Sequence, residues 1–115
     1  MNPPPHYFYG KHYIASFRQY RETTNEKIKE IFQNALLRFG AIIMNYQEHV
    51  FDNGAITFAF LLSESHCTIH TYPEYQSAFI DCFTCGNSFD IENFHNSLLE
   101  ELQPDSFTWN ISIRN

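Results

Sequence analysis

Positive charge is scarce in this chain. Seven lysines and arginines stand against thirteen aspartates and glutamates, for a formal net charge of −6 over 115 residues. No basic run is present, which argues against a phosphate backbone or an anionic membrane as partner. Long apolar runs are missing too; none approaches the roughly 20 residues that cross a bilayer. The opening MNPPPHYFYG has neither the basic block nor the apolar stretch of a secretory signal. Pro3, Pro4 and Pro5 read instead as part of an extended arm over residues 1–10. The three cysteines are an odd number and predict reduced thiols in a cytoplasmic protein. Glycine is limited to four, and none flanks Ser63 or Ser65, so the glycine elbow of a Ser-His hydrolase is absent there. There is no internal repeat and no low-complexity tract.

Aromatic residues are plentiful. Twelve Phe and seven Tyr contribute to a hydrophobic fraction of 43%, a globular composition. The length fits one domain over residues 1–115, small enough to gain from dimerisation. Residues 11–18 read as a strand. Thr23 and Glu26 stand at capping-box spacing. Ile28, Ile31, Phe32, Ala35, Leu36 and Phe39 then recur at helical intervals up to Gly40, a C-terminal stop. Residues 41–51 and 55–62 read as strands around the turn Asp52-Asn53-Gly54. Residues 66–71 and 77–83 are two more strands. Ile91, Phe94, Leu98, Leu99 and Leu102 mark a second amphipathic helix, ended by Pro104, and residues 107–113 form a last strand. The predicted fold is α+β: a two-layer sandwich of a mainly antiparallel sheet with two helices on one face. The second sheet face is left uncovered and invites another sheet.

Three local patterns carry little chemistry by themselves. Cys82-x-x-Cys85 is a redox pair or half a zinc site in some proteins, but no second CxxC accompanies it, and two reduced thiols are the simpler reading. His66-x3-His70 binds zinc on a helix, whereas this segment is strand-like; no metal site is predicted. Ser65 beside Glu64 is, on composition alone, an ordinary surface serine.

A fourth pattern changes that reading. The run Ser63-Glu64-Ser65-His66-Cys67-Thr68-Ile69-His70-Thr71-Tyr72-Pro73-Glu74-Tyr75, followed by Asp81-Cys82-Phe83-Thr84-Cys85-Gly86, resembles the bacterial S-adenosylmethionine decarboxylase proenzyme family, whose pattern is ESHxxIHTWPEY, a short strand, then FTCG. Weaker similarity covers most of the chain, including Gly10-Lys11-His12 and His49-Val50-Phe51. Tyr72 stands where the family usually has Trp, Gln76-Ser77 replaces Gly-Tyr, and Cys67 takes a position usually aliphatic.

The resemblance implies autocatalytic cleavage between Glu64 and Ser65, giving fragments 1–64 and 65–115. Ser65 would become a pyruvoyl group, the cofactor that forms a Schiff base with the substrate amine. His70 would take the serine α-proton during processing, and Thr57 matches a processing serine hydroxyl. Cys85 would be the proton donor in turnover. Phe51 would stack on adenine, Glu74 would accept from the ribose hydroxyls, and Tyr72 would line the same substrate site. The implied reaction is decarboxylation of S-adenosylmethionine for spermidine and other polyamines, in a homodimer of cleaved protomers packed through their sheets as four αββα layers. Arginine or ornithine is the alternative substrate within the same chemistry, and an uncleaved, non-catalytic regulatory homologue is the alternative outside it. Strand geometry adds an independent point: at about 3.3 Å per residue, neither Thr57 nor His70 reaches its own Ser65 without a sharp reversal, and no Gly or Pro lies between Thr57 and Ser65 to make one. A partner chain would then supply both.

Overall fold

The computed structural model describes residues 9–85 and 88–115; most of the N-terminal arm, and Gly86 of the motif, lie outside them. The elements follow in the expected order. They are β1 (Gly10–Arg18), α1 (Asn25–Arg38), β2 (Ile43–Val50), β3 (Ile56–Leu62), β4 (His66–Tyr72), a 3₁₀ turn at Pro73–Tyr75, β5 (Ser77–Cys85), α2 (Ile91–Leu102) and β6 (Ser106–Arg114). The strands form one six-stranded sheet in the order β2-β3-β4-β5-β1-β6, every neighbouring pair antiparallel. No helix among the described residues is long and apolar enough to cross a membrane.

The cap of α1 differs from expectation. Thr24, not Thr23, is the N-cap: its backbone is extended and its Oγ1 accepts from the Lys27 amide at 3.1 Å. That bond satisfies one of the free N–H groups of the first turn. The C-terminus closes as read. Ala41 N–H donates to Leu36 O at 2.9 Å and Gly40 N–H to Leu37 O at 3.4 Å, a Schellman arrangement. Gly40 sits at φ +110°, and a Cβ there would lie 2.4 Å from the Ser88 carbonyl oxygen, so glycine is required on both counts.

Strand alternation sorts the sheet into two faces. Tyr13, Ala15 and Phe17 of β1, Ile56, Phe58, Phe60 and Leu62 of β3, Cys67 and Ile69 of β4, and Ala78, Ile80 and Cys82 of β5 are buried against the helices. They meet Ile28, Ile31, Phe32, Ala35 and Leu36 of α1 and Ile91, Phe94, Leu98 and Leu102 of α2. Edge-to-face aromatic pairs join α1 to the sheet at Phe32–Phe58 and to α2 at Phe32–Phe94, each adding about 0.5–1.5 kcal/mol to area burial. The opposite face is open. It exposes Ile14, Leu61, Tyr72 and Phe79, a band of apolar side chains that none of the described residues covers.

His95 is a core residue that helical periodicity did not mark. It is 1% exposed, its Nδ1 is 2.5 Å from Tyr13 Oη, and its ring stacks on Trp109 at 4.1 Å. Burial holds its pKa below the ordinary value of 6.5, and its Nε2 has no hydrogen-bond partner among the described residues. Below pH 6.5 the unfolded chain therefore binds a proton that the folded chain still refuses. The stability conferred by neutral His95 is complete above pH 6.5 and is lost as the pH falls from there toward the folded-state value. Melting curves between pH 7.5 and 5 should show a steeper acid loss for the wild type than for His95→Phe.

The cysteines separate by the same alternation. Cys82 and Cys85 are an odd number of residues apart on β5 and face opposite sides; Cys82 is buried and Cys85 exposed. The partner of Cys82 is Cys67, directly opposite on β4. A hydrogen bond to Cys82, together with full burial, pushes the Cys67 thiol pKa up. A colorimetric thiol reagent should titrate one thiol rapidly in the folded protein, Cys85, and three in denaturant. Two fast thiols in the folded state would contradict this placement.

Candidate active site

The Glu64–Ser65 bond lies at the tip of the β3–β4 hairpin. The reversal falls on Ser63-Glu64 without Gly or Pro, contrary to the expectation that such a residue is needed to mark one. One local and one tertiary bond hold it: Leu62 N–H donates across the turn to Ser65 O at 2.9 Å, and Ser63 N–H donates to Ile42 O at 3.0 Å, just before β2. Glu64 is exposed and Ser65 half-buried. His66 pairs with Phe83; continuing that register by one residue sets Thr84 opposite Ser65, and Cys85 follows at the end of β5. Ser65 and Cys85 thus share one end of the sheet. His66 stacks over Phe83, with ring centroids 5.8 Å apart. His12 Nε2 lies 2.8 Å from Asp81 Oδ1 on the same face.

The remaining candidates gather at the other end. Thr57 and His70 are register partners on β3 and β4, and Thr57 Oγ1 lies 2.5 Å from His70 Nδ1. The His70 ring is edge-on to Phe51 at 5.8 Å and to Tyr72 at 4.9 Å. Beyond the 3₁₀ turn, Glu74 Oε2 accepts from Asn53 Nδ2 at 3.2 Å. A cavity of about 590 Å³ opens here, lined by Arg18, Tyr72, Glu74, Tyr75, Ser77 and Phe79 among others. Three contributors were not read from the sequence: Asn53, which holds Glu74; His49, whose ring meets Phe51 at 4.6 Å; and Phe79, 5.5 Å from Tyr72. Period-two alternation on β5 would have placed Phe79 on the face of Cys85, but neither loop contact had a local signal.

The hairpin folds Thr57 back beside His70, yet it does not bring either to Ser65. His70 is five residues along an extended strand, about 16 Å away, and Thr57 sits on the same rung. His66 and His70 share a face but stand about 13 Å apart along β4, too far for one metal ion. No group of three or more His, Cys, Asp or Glu among the described residues is arranged to hold one. Chemically, one end offers a hydroxyl in a tight turn and an exposed thiol. The other offers a hydroxyl–imidazole pair that can move a proton, aromatic faces for a flat ring, and a carboxylate for hydroxyl groups.

Comparison with known proteins identifies the family. A family model described as S-adenosylmethionine decarboxylase matches residues 11–115. An S-adenosylmethionine decarboxylase proenzyme of Archaeoglobus fulgidus is 30% identical over 106 residues, covering 85% of this chain and 90% of the relative. One of Thermosipho africanus is 40% identical over 84 residues, 70% of this chain and 65% of the relative. A second proenzyme of Bacillus anthracis is 41% identical over 66 residues, 57% of this chain and 54% of the relative. The aligned part thus spans less than two thirds of the length of the last two. The fold also matches a crystal structure of the adenosylmethionine decarboxylase of Aquifex aeolicus, with a TM-score of 0.83 at 22% identity, covering 94% of this chain and 92% of that one. With the family model spanning the chain from β1 to its last residue, and the Archaeoglobus relative matched over nearly its full length, this chain belongs to the S-adenosylmethionine decarboxylase family.

Proposed function

We propose that this chain cuts itself between Glu64 and Ser65 and acts in the cytoplasm as a homodimeric, pyruvoyl-dependent decarboxylase of S-adenosylmethionine, supplying the aminopropyl donor for spermidine. The observation that carries this reading is the division of the matched residues between two ends of one sheet whose outer face is open and apolar. Ser65 and Cys85 occupy one end; Phe51, Thr57, His70, Tyr72 and Glu74 occupy the other. A two-fold partner laid on that face would join the halves, cover the exposed Ile14, Leu61 and Phe79, and build two identical sites.

The residues present fit the making of a pyruvoyl group. Ser65 is half-buried directly after the two-residue reversal Ser63-Glu64, and Glu64, on the other side of the bond to be cut, is exposed. Once formed, that group supplies the carbonyl that takes up the substrate amine and the electron sink for decarboxylation. The side chains do the rest. The partner's imidazole at the position of His70, held by the Thr57 hydroxyl, removes the Ser65 α-proton during processing. Cys85 Sγ carries the proton delivered to the substrate carbon after CO₂ leaves. Phe51 and Tyr72 present ring faces to adenine, and Glu74 accepts from the ribose hydroxyls in place of Asn53.

Intact-mass analysis should find fragments 1–64 and 65–115, the second with a blocked N-terminus, and Ser65→Ala should stay whole. In a side-by-side assay the cut enzyme should release CO₂ from S-adenosylmethionine and not from arginine or ornithine. A chain that remains uncut after long incubation would defeat the cofactor assignment, and turnover of arginine or ornithine alone would defeat the substrate.

The shared site has its own test. Cys85→Ala, which still processes, should lose about 10²- to 10⁴-fold in turnover, the usual contribution of a general acid. Coexpressed with Glu74→Ala and isolated as a mixed dimer by two tags, it should regain about half of wild-type activity, because one of the two sites is then wholly wild type. Self-contained sites would leave every site with one defect and the mixed dimer inactive.

A further inference from the structure

Thr84 is 1% exposed, and its Oγ1 has no hydrogen-bond partner among the described residues. A buried hydroxyl left unpaired costs free energy, and a valine of the same shape would avoid the cost. Register gives the position a meaning. Thr84 pairs with Lys11 on β1, and on its β4 side the next residue past the His66–Phe83 pair is Ser65. Alternation puts Thr84 on the face of Cys82 and Cys67, and the same alternation puts the Ser65 side chain there too. The unpaired hydroxyl therefore stands across from the serine at the scissile bond, while Cys85 presents its thiol to the other face.

We propose that Thr84 assists the first step of self-cleavage by donating a hydrogen bond to the Glu64 carbonyl oxygen as that oxygen gains charge. This rests on the self-cleavage reading above and adds a donor to it. In that step Ser65 Oγ adds to the Glu64 carbonyl carbon, and the π pair moves onto the carbonyl oxygen. The carbonyl re-forms as the C–N bond breaks, and the serine hydroxyl proton ends on the freed nitrogen. The product is an ester between Glu64 and Ser65 Oγ. Removal of the Ser65 α-proton then expels Glu64 as a carboxylate and leaves dehydroalanine. Water replaces its nitrogen, which leaves as ammonia, and the pyruvoyl remains. A donor fixed beside the oxygen before the charge develops costs no reorganisation at the moment of reaction.

The test is a time course of intact mass after cell-free synthesis of the full chain, comparing wild type, Thr84→Val, Thr84→Ser and His70→Ala, with and without hydroxylamine. Loss of one oxyanion donor slows a reaction by about 10²- to 10³-fold, so Thr84→Val should cut far more slowly and Thr84→Ser near the wild-type rate. Hydroxylamine cleaves esters. It should release fragments from His70→Ala, where the ester accumulates, and not from Thr84→Val, where it does not form. In the uncut Ser65→Ala background, Thr84→Val should melt at the same temperature as its parent or higher. Wild-type cutting in Thr84→Val, equal slowing in Thr84→Ser, rapid release by hydroxylamine, or a lower melting temperature would each overturn the assignment. A wild type that never cuts would instead remove the self-cleavage reading itself.

Discussion

The antiparallel register of β4 between β3 and β5 sets which side chains share a face and which share an end of the sheet. Thr57 faces His70, Cys67 faces Cys82, and His66 faces Phe83. A slip of one residue would turn His70 and Tyr72 into the helical core and expose Cys67 and Ile69. The core opposes that slip. Phe58, Phe60, Ile69 and Ile80 fill one continuous layer beneath the helices, and full burial of each such side chain is favourable by about 1.5–3 kcal/mol. The position of every candidate residue on the open face is thus enforced by apolar neighbours on the hidden one.

Polar groups inside that core stand out against it. His95 is tied to Tyr13 and stacked on Trp109, and burial pushes the Tyr13 phenol well above its ordinary range. Both groups are thereby held neutral at physiological pH. At the exposed edge by β2 the logic reverses. Glu48 accepts from Tyr46 and from Lys29 at 3.1 Å. The Tyr46 hydroxyl bond and then the Lys29 ammonium hold the Glu48 carboxyl below the usual range. The charges sit at the rim, where water is available, and the interior titrates only with difficulty.

Much of the fold was legible because its two periodicities are clean. Both helices and all six strands follow from the spacing of apolar residues, and Gly40 marks the end of α1. The discrepancies have local causes. Thr24 outcompetes Thr23 as cap because its hydroxyl meets the Lys27 amide. β5 runs on to Cys85 because Gly10 of β1, distant in sequence, extends the ladder there. The turn at Ser63-Glu64 carries no Gly or Pro because a bond to Ile42 stabilises it from outside the hairpin. For the site, the motif named Ser65, His70 and Cys85, and strand rise anticipated that His70 stands apart from Ser65. The pairing of Thr57 with His70, the Asn53–Glu74 bond and the unpaired Thr84 depend on register and loop packing, which no short stretch of sequence encodes.

The strand order also bears on what a break in the backbone would do. Cutting after Glu64 leaves β1, α1, β2 and β3 on one piece and β4, β5, α2 and β6 on the other. In the sheet these pieces interleave: β1 lies between β5 and β6, and β3 is laced to β4. Neither piece can leave without opening ladders on both sides of β1 as well as the β3–β4 ladder. A nick after Glu64 would therefore fall at a joint where connectivity is dispensable, and the two polypeptides would remain mechanically woven. What such a cut would remove in covalent continuity the topology would retain, and the newly freed chain end would stay where the fold had already aimed it.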